Sequence, residues 1–526
     1  MKRRVPNLLY LLIFPLLTFA QTERAINLKF NIHDFCLTEQ DGITYINSFE
    51  KALGYNRKYS DPALPYFNIN VLIRANECYD TISVKSDAVL IKENVDLSSN
   101  PRPITTNSSI QSFKVDLPIL EPISYPKTMI EYVGTRTKDG YQYLSFKYFP
   151  FRYDATTKSL FFNASVFLNL MLRTSDNLDL TRVVPAKRRQ NPSSREAIAK
   201  IVVNAEDIDK LYKTNNKNTL KSPAQQSSII GSIAGTEDYE YLIITTDSFK
   251  SAFQRLANWK TMKGVRTKVL TKQEIYQKYS TVYHQQLDMK KAMQIKAAIR
   301  DYYDNGGLKY VLLGGDEYII PSLKCWVSAN GTQRARVPVD LYYSCMGSPD
   351  WIQDITNTVQ VNPFTMNLGA DVYVTRASVE NVTDINLFID RTIAYEESGN
   401  QSDDYHSILM CGSMLYYYYQ GKSDAQILGD SIYYNGIAPY SGISRSQFFD
   451  TYVNCYTGSS SDELNPDNLQ YVFGQGHHFI NIDAHGNTDS IKLETGFYDY
   501  SYAQTLTNPV HTIITTSSCY TNLKVG

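Results

Sequence analysis

Several things are missing from this sequence, and each absence removes a class of protein. Beyond the first 20 positions no stretch reaches about 18 uninterrupted apolar residues, so no later segment is long enough to cross a bilayer as a helix. No Cys-x-x-Cys joins any of the seven cysteines, which leaves no zinc ribbon and no thioredoxin-type redox pair. There is no Walker phosphate loop, no His-Glu-x-x-His, no Gly-x-Ser-x-Gly elbow and no EF-hand loop. Gly474-Gln475-Gly476 starts a dinucleotide-binding pattern, but Phe479 stands where the third glycine belongs and a strand pattern follows. His477 and His478 are neighbours, so in a strand they point to opposite faces and cannot share one metal ion. An excess of one charge is missing as well. The 52 Lys+Arg and 53 Asp+Glu leave a net charge of −1, so the chain as a whole carries no field for nucleic acid, and none is expected as a partner.

What is present belongs to a folded protein. The 526 residues are 43% hydrophobic and 13% aromatic, with 41 tyrosines, a composition that excludes a disordered chain and has length for about three domains. Residues 1–20 read as a signal peptide. Lys2, Arg3 and Arg4 precede an apolar run over 8–17, and Thr18-Phe19-Ala20 places a small residue before a cut at Gln21. Export to the extracellular space or the outer cell surface is therefore expected. In an oxidising compartment the odd cysteine count leaves at least one thiol of Cys36, Cys78, Cys325, Cys345, Cys411, Cys455 and Cys519 unpaired within the chain. The Asn-x-Ser/Thr sites at Asn107, Asn163, Asn330, Asn381 and Asn400 are read as unmodified.

The chain divides by pattern. Residues 21–213 form a β-rich domain, with strands expected over 67–73, 141–148 and 159–172 and one short helix over 196–213. Residues 214–238, rich in Asn, Lys, Ser, Gln and Gly, read as an exposed linker open to proteolysis. From Tyr239 the rhythm changes to strands alternating with helices, which predicts βαβ units and a parallel sheet. Strands are expected over 241–245, 268–270, 310–314, 372–375, 407–411, 478–483 and 511–516. Helices are expected over 248–264, 289–303, 383–397 and 425–434. No internal repeat is visible in the residues.

Two of these strands end in reactive groups. One stops at His485-Gly486, the other at Ser518-Cys519. In an open parallel sheet the carboxyl ends of the strands line a common crevice. If the two strands are parallel neighbours, a histidine meets a thiol whose proton it can take, or whose thiolate it can hold as an ion pair. The N–H groups of Gly486 and Cys519 would then be placed to receive the oxyanion of a tetrahedral intermediate. Asp483, two residues before the histidine, is a candidate for orienting it. The tyrosines at 416–419, which leave the same sheet edge, are read as a substrate-contacting loop or as packing.

The sequence resembles the gingipain-type cysteine peptidases. Residues 310–321 (Tyr-Val-Leu-Leu-Gly-Gly-Asp-Glu-Tyr-Ile-Ile-Pro) are similar to that family's LLVGD…IP segment. Residues 337–343, 371–376 and 389–396 resemble the stretches that follow it. Ala484-His485-Gly486 falls on the histidine motif and Ser518-Cys519 on the nucleophile. The resemblance implies a caspase-like α/β catalytic domain in two subdomains, 239–397 and 398–526, behind a β-rich propeptide. It implies Cys519 as nucleophile, His485 as general acid/base, and Asp371 at the position of the family's acidic residue, where gingipains have Glu. It implies no cofactor for the chemistry, with structural calcium possible, and protein or peptide substrates. A link to bacterial envelope secretion machinery, zymogen activation by cutting the linker, and a catalytic unit that continues beyond Gly526 are further implications. The same resemblance admits a transpeptidase, or a catalytically inactive surface binding protein on the same fold. Asp384, at a helix start, reads as an N-cap or as a pocket anion.

Overall fold

The structure is a computed structural model that describes residues 21–40, 42–48, 54–55, 61–99, 123–174, 192–212, 239–329, 332–347, 351–352, 368–398, 407–413, 425, 428–429, 432–433, 444–449, 464–487, 489–493, 495–507 and 512–516. The signal-peptide stretch, the linker at 214–238, the tyrosines at 416–419 and Cys519 lie outside the described residues.

The N-terminal part is an antiparallel β-sandwich. Its strands are β1 (Gln21–Lys29), β2 (Phe35–Gln40), β3 (Ile43–Ser48), β4 (Gly54–Tyr55), β5 (Pro65–Ile73), β6 (Glu77–Lys92), β7 (Ser124–Tyr125), β8 (Ile130–Lys138), β9 (Tyr141–Tyr148), β10 (Phe151–Asp154) and β11 (Ser159–Thr174). One sheet is built on β11, which pairs with β6 along one edge and with β1 and β10 along the other. The second runs β4-β5-β9-β8. Alternation decides what meets between them. Ile69 and Val71 of β5, Leu144 and Phe146 of β9, and Leu168, Leu170 and Leu172 of β11 share one core. Asn163 is fully buried there, with its amide donating to the Pro150 carbonyl (3.0 Å).

The single helix expected over 196–213 is two short helices, Pro192–Ala199 and Ile208–Leu211, separated by a turn. Asn204 is the reason. Its side chain accepts from the Leu72 N–H (2.8 Å) and donates to the Leu72 carbonyl (3.1 Å), satisfying the backbone of β5 instead of a helix of its own. Ile198, Val202 and Ile208 then pack on Leu72, Tyr141 and Tyr143, so this segment belongs to the sandwich.

The C-terminal part contains two parallel sheets. The first is formed by β12 (Tyr241–Thr245), β13 (Thr267–Thr271), β14 (Tyr310–Gly314) and β17 (Tyr373–Ala377), with a hairpin of β15 (Leu323–Ala329) and β16 (Thr332–Val339) between the last two. All pairs are parallel and the spatial order is β13-β12-β14-β17. Helices cover both faces. Leu242, Ile244, Val311 and Leu313 point to the helix Leu287–Asn305 and its residues Ile295 and Ile299. Ile243 and Leu312, one residue out of phase, point to Phe253 and Leu256 of the helix Asp247–Met262 and to Ile385 and Ile389 of the helix Val382–Ser398. A helix missing from the sequence reading, Lys272–Lys278, starts with a capping box between Thr271 and Glu274.

The second sheet holds β18 (Ser407–Gly412), β19 (Ser444–Phe449), β20 (Phe479–Asp483) and β24 (Ile513–Thr516), again all parallel, in the order β19-β18-β20-β24. A small antiparallel sheet of β21 (His485–Gly486), β22 (Ser490–Lys492) and β23 (Phe497–Asp499) follows β20. Numbered by their order along the chain within each sheet, both parallel sheets read 2-1-3-4. The repeat is one of topology and leaves no repeat in the residues. β19 has no counterpart in the sequence reading.

A part-buried guanidinium holds the carboxyl edge of the first sheet. Arg376, at the end of β17, reaches Asp340 through Nε and Nη2, both at 2.7 Å. Its Nη1 donates to the carbonyls of Gly315 (2.8 Å), Asp316 (2.9 Å) and Ile320 (2.7 Å), and its Nη2 also to Ser322 Oγ (2.9 Å). Those carbonyls belong to the loop leaving β14, which can turn there because Gly315 has φ +150° and a side chain at it would collide with Ile319. Arg376→Met leaves three carbonyls and the part-buried Asp340 carboxylate without their donor, which is expected to cost about 1–3 kcal/mol, read from the urea unfolding midpoint. An unchanged midpoint would refute this role.

Candidate active site

The second sheet places its chemistry at the point where the strand order reverses. β18 and β20 are central neighbours and the chain leaves their carboxyl ends in opposite directions, which opens the crevice in which open α/β sheets hold ligands. Gly412 and Asp483 are partners at that edge. A side chain at Gly412 would put its Cβ 2.3 Å from the Asp483 carbonyl oxygen and 2.7 Å from Ala425 Cβ, so only glycine permits this approach. Ser413 then braces the exit: its N–H donates to the Asp483 carbonyl (2.9 Å) and its hydroxyl to the Lys492 carbonyl (3.0 Å).

His485 follows two residues later, half-buried, in β21. Its backbone is held by pairing with β22, His485 opposite Lys492 and Gly486 opposite Ile491, and by the turn in which the Asn487 N–H donates to the Ser490 carbonyl (2.8 Å). Leu493 and Tyr498 anchor the small sheet in the core beneath, beside Phe473 and Ile482. The histidine is thus carried by a hairpin rooted at both ends, and that hairpin was not legible in the sequence.

Asp483 is buried. Burial pushes its carboxyl above the ordinary carboxylate range, and the charge of His485 pulls it back. The two groups are electrostatically coupled, as expected for residues two apart at a strand end. Beyond β20, Thr515 donates through its hydroxyl to Asn481 Oδ1 (3.0 Å) and ties β24 to β20. β24 is the strand that leads to Cys519 and ends at Thr516, three residues short of it.

Three of the described cysteines have the opposite character to a nucleophile. Cys411 is fully buried in β18, its thiol donating to the Asn481 carbonyl (3.6 Å) and pushed well up by burial. Burial also pushes Cys325 up to about 12, and raises Cys78. No disulfide joins the described cysteines.

Asp371 is found elsewhere. It precedes β17, at the amino edge of the first sheet, whereas His485 follows the carboxyl end of β20. Its Oδ1 accepts from the Tyr303 hydroxyl (3.2 Å) and the Asp139 N–H (3.2 Å), and its Oδ2 from the Met346 N–H (2.9 Å). None of its bonds goes to His485 or Gly486. Asp384 is a helix-start residue: its N–H donates to Asn381 Oδ1 (3.0 Å), and its carboxylate accepts from the Asn381 amide (3.0 Å) and the Glu380 N–H (3.3 Å). His478 meets the Tyr395 hydroxyl (2.6 Å). Among the described residues no group of His, Cys, Asp and Glu has the makings of a metal site.

With this geometry the comparison with known sequences is decisive. The profile of peptidase family C25 matches residues 235–523, more than half of the chain. The chain belongs to peptidase family C25. Among solved structures it is similar to the Arg-specific cysteine proteinase gingipain R, at 21% identity over 54% of this chain and 55% of that one, with a TM-score of 0.39. It is similar to the complex of Porphyromonas gingivalis RgpB pro- and mature domains, at 22% identity over 51% and 52%, TM-score 0.35. It is also similar to gingipain K of Porphyromonas gingivalis, in a study of zymogenic latency, at 12% identity over 31% and 97%, TM-score 0.23. The chain spans about half the length of the first two of these structures. No curated protein matches.

Gly412 offers a test of the site's construction. Gly412→Ala must drive β18 and β20 apart at the root of the His485 hairpin, and overpacking of this kind costs about 1–3 kcal/mol. An unchanged urea midpoint for that variant would show that the strand ends are not packed as described.

Proposed function

We propose that this C25 chain is an exported cysteine endopeptidase, made as a zymogen, that hydrolyses peptide bonds through Cys519 and His485. The observation that carries the reading is the register of β20 and β24. Phe479 pairs with Ile513 and Ile482 with Thr516, an offset of 34 positions. The chain runs on from β20 to His485, and β24 ends three residues before Cys519 in the sequence. That pairing of neighbouring parallel strands supports assigning the two residues to one crevice.

The chemistry follows from the residue types. His485 takes the thiol proton, and the thiolate attacks the substrate carbonyl. The N–H groups of Gly486 and Cys519 receive the oxyanion. The imidazolium returns the proton to the leaving amine as the acyl-enzyme forms, and water then releases the acid by the same steps in reverse. Asp483, two residues before His485, is the carboxyl group electrostatically coupled to it. The caspase-like division into two subdomains, the propeptide role of the sandwich and release by cutting the linker belong to the same reading, supported by the family and by the composition of 214–238. Export rests on the pattern of residues 1–20.

Cys519→Ser is expected to abolish peptide cleavage and labelling by a thiol-directed peptide inhibitor while leaving the unfolding midpoint in place. His485→Ala is expected to lower turnover by ~10²-fold or more. A Cys519→Ser protein with normal turnover would end this proposal.

Asp483 is tested separately. Asp483→Asn keeps the side chain's shape and removes its charge, so turnover is expected to fall with the unfolding midpoint little changed. A variant with reduced stability and unchanged turnover would assign Asp483 to packing alone.

A further inference from the structure

The small antiparallel sheet sets three side chains in one row. His485 of β21 stands opposite Lys492 of β22, and Lys492 stands opposite Phe497 of β23. Residues directly opposite in antiparallel strands share a face. Their sequence neighbours Ile491, Leu493 and Tyr498 turn to the core beneath, so His485, Lys492 and Phe497 occupy the outer face. There Lys492 Nζ lies over the Phe497 ring, 4.9 Å from its centroid, and Phe497 is 49% exposed. Asp499, the acidic residue of the next row, is engaged at the start of the helix Tyr500–Gln504, where its carboxylate accepts the Ser501 N–H (2.9 Å). The row also has a direction. β20 lies between β18 and β24. The hydroxyl of Ser413, just past β18, donates to the Lys492 carbonyl, which places β22 on the β18 side of β20. β24, the strand that leads to Cys519, borders β20 on the opposite side. The order across this edge is therefore β24, His485, Lys492, Phe497.

We propose that Lys492 and Phe497 form a subsite for an acidic side chain, Asp or Glu, among the substrate residues that follow the cleaved bond. The inference rests on the peptidase reading above, in which His485 returns its proton to the leaving amine. The leaving part of the substrate then starts at His485 and extends away from β24, over Lys492 and Phe497. Neighbouring strands stand about 4.8 Å apart and an extended peptide rises about 3.3 Å per residue, so the row from His485 to Phe497 spans about three substrate residues. The ammonium of Lys492 attracts a carboxylate at this place, and a substrate Lys or Arg meets a like charge instead. Phe497 serves twice. Its face holds the ammonium by a cation–π contact, and its exposed ring offers apolar surface to the stem of the bound side chain. The backbone of the row is fixed by strand pairing and by Ser413, so the subsite keeps its distance from His485.

The test uses the full chain, cut in the linker at 214–238, and a mixed peptide library whose cleavage products are sequenced from their new amino termini. Asp and Glu are expected to be enriched over Lys and Arg by ~5-fold or more within the first three positions after the cut. Lys492→Gln should remove that enrichment, and Lys492→Glu should invert it in favour of Lys and Arg. Phe497→Ala should weaken it by releasing the ammonium from the ring. Unfolding midpoints close to that of the native chain, expected for changes on an outer face, show that the variants are folded. Cleavage with no acidic preference after the cut, or a preference that Lys492→Glu leaves in place, would overturn the subsite and leave the peptidase reading standing. A native chain that cleaves no peptide would overturn both.

Discussion

The guanidinium of Arg376 is the interaction on which the first parallel sheet depends. One side chain satisfies three carbonyls of the loop leaving β14, a serine hydroxyl and both oxygens of Asp340. Its fork geometry matches the carboxylate in a way a lysine cannot. The loop it pins lies at the place where the strand order of this sheet reverses. Without that anchor the carbonyls of Gly315, Asp316 and Ile320 would each need another donor in a poorly hydrated edge.

The second sheet has the same order, 2-1-3-4, and uses the equivalent crevice differently. In place of an arginine clamp, the exits of β18 and β20 carry Gly412, Ser413, Asp483 and His485. Backbone contacts and the Ser413 hydroxyl do the bracing there, together with the β21–β22 hairpin. The two sheets thus divide the work of one topology. One is closed by a part-buried charge pair, and the other carries a histidine and a carboxyl group that feel each other.

Asp371 shows how a family motif and a local environment part company. The resemblance puts an acidic residue at that position, and the structure surrounds it with Tyr303, Met346 and the tip of a hairpin from the N-terminal sandwich. What an acidic group does is set by its partners, and those partners lie far away in sequence.

Much of this was legible in the residues. The strands at 241–245, 310–314 and 407–412 are continuous apolar runs that only a sheet buried on both faces accommodates, and β9 covers the span its sequence predicts. His485 stood out because it follows such a strand directly. The helix boundaries followed from caps and glycines. Strand order, register and the partners of buried polar groups were decided only in three dimensions. Asn204 breaks a helix because Leu72, 132 residues earlier, offers its backbone. β19 lacks a strong local signal and becomes a strand by adding to the open edge of β18. Asp483 and Gly412 close together at the strand ends because Gly412 carries no side chain. Local sequence sets which segments bury their backbone as strands or helices, since periodicity and capping act within a few residues. The choice of neighbours belongs to the tertiary structure, because the hydrogen bonds and charges that settle it join residues with no local relation.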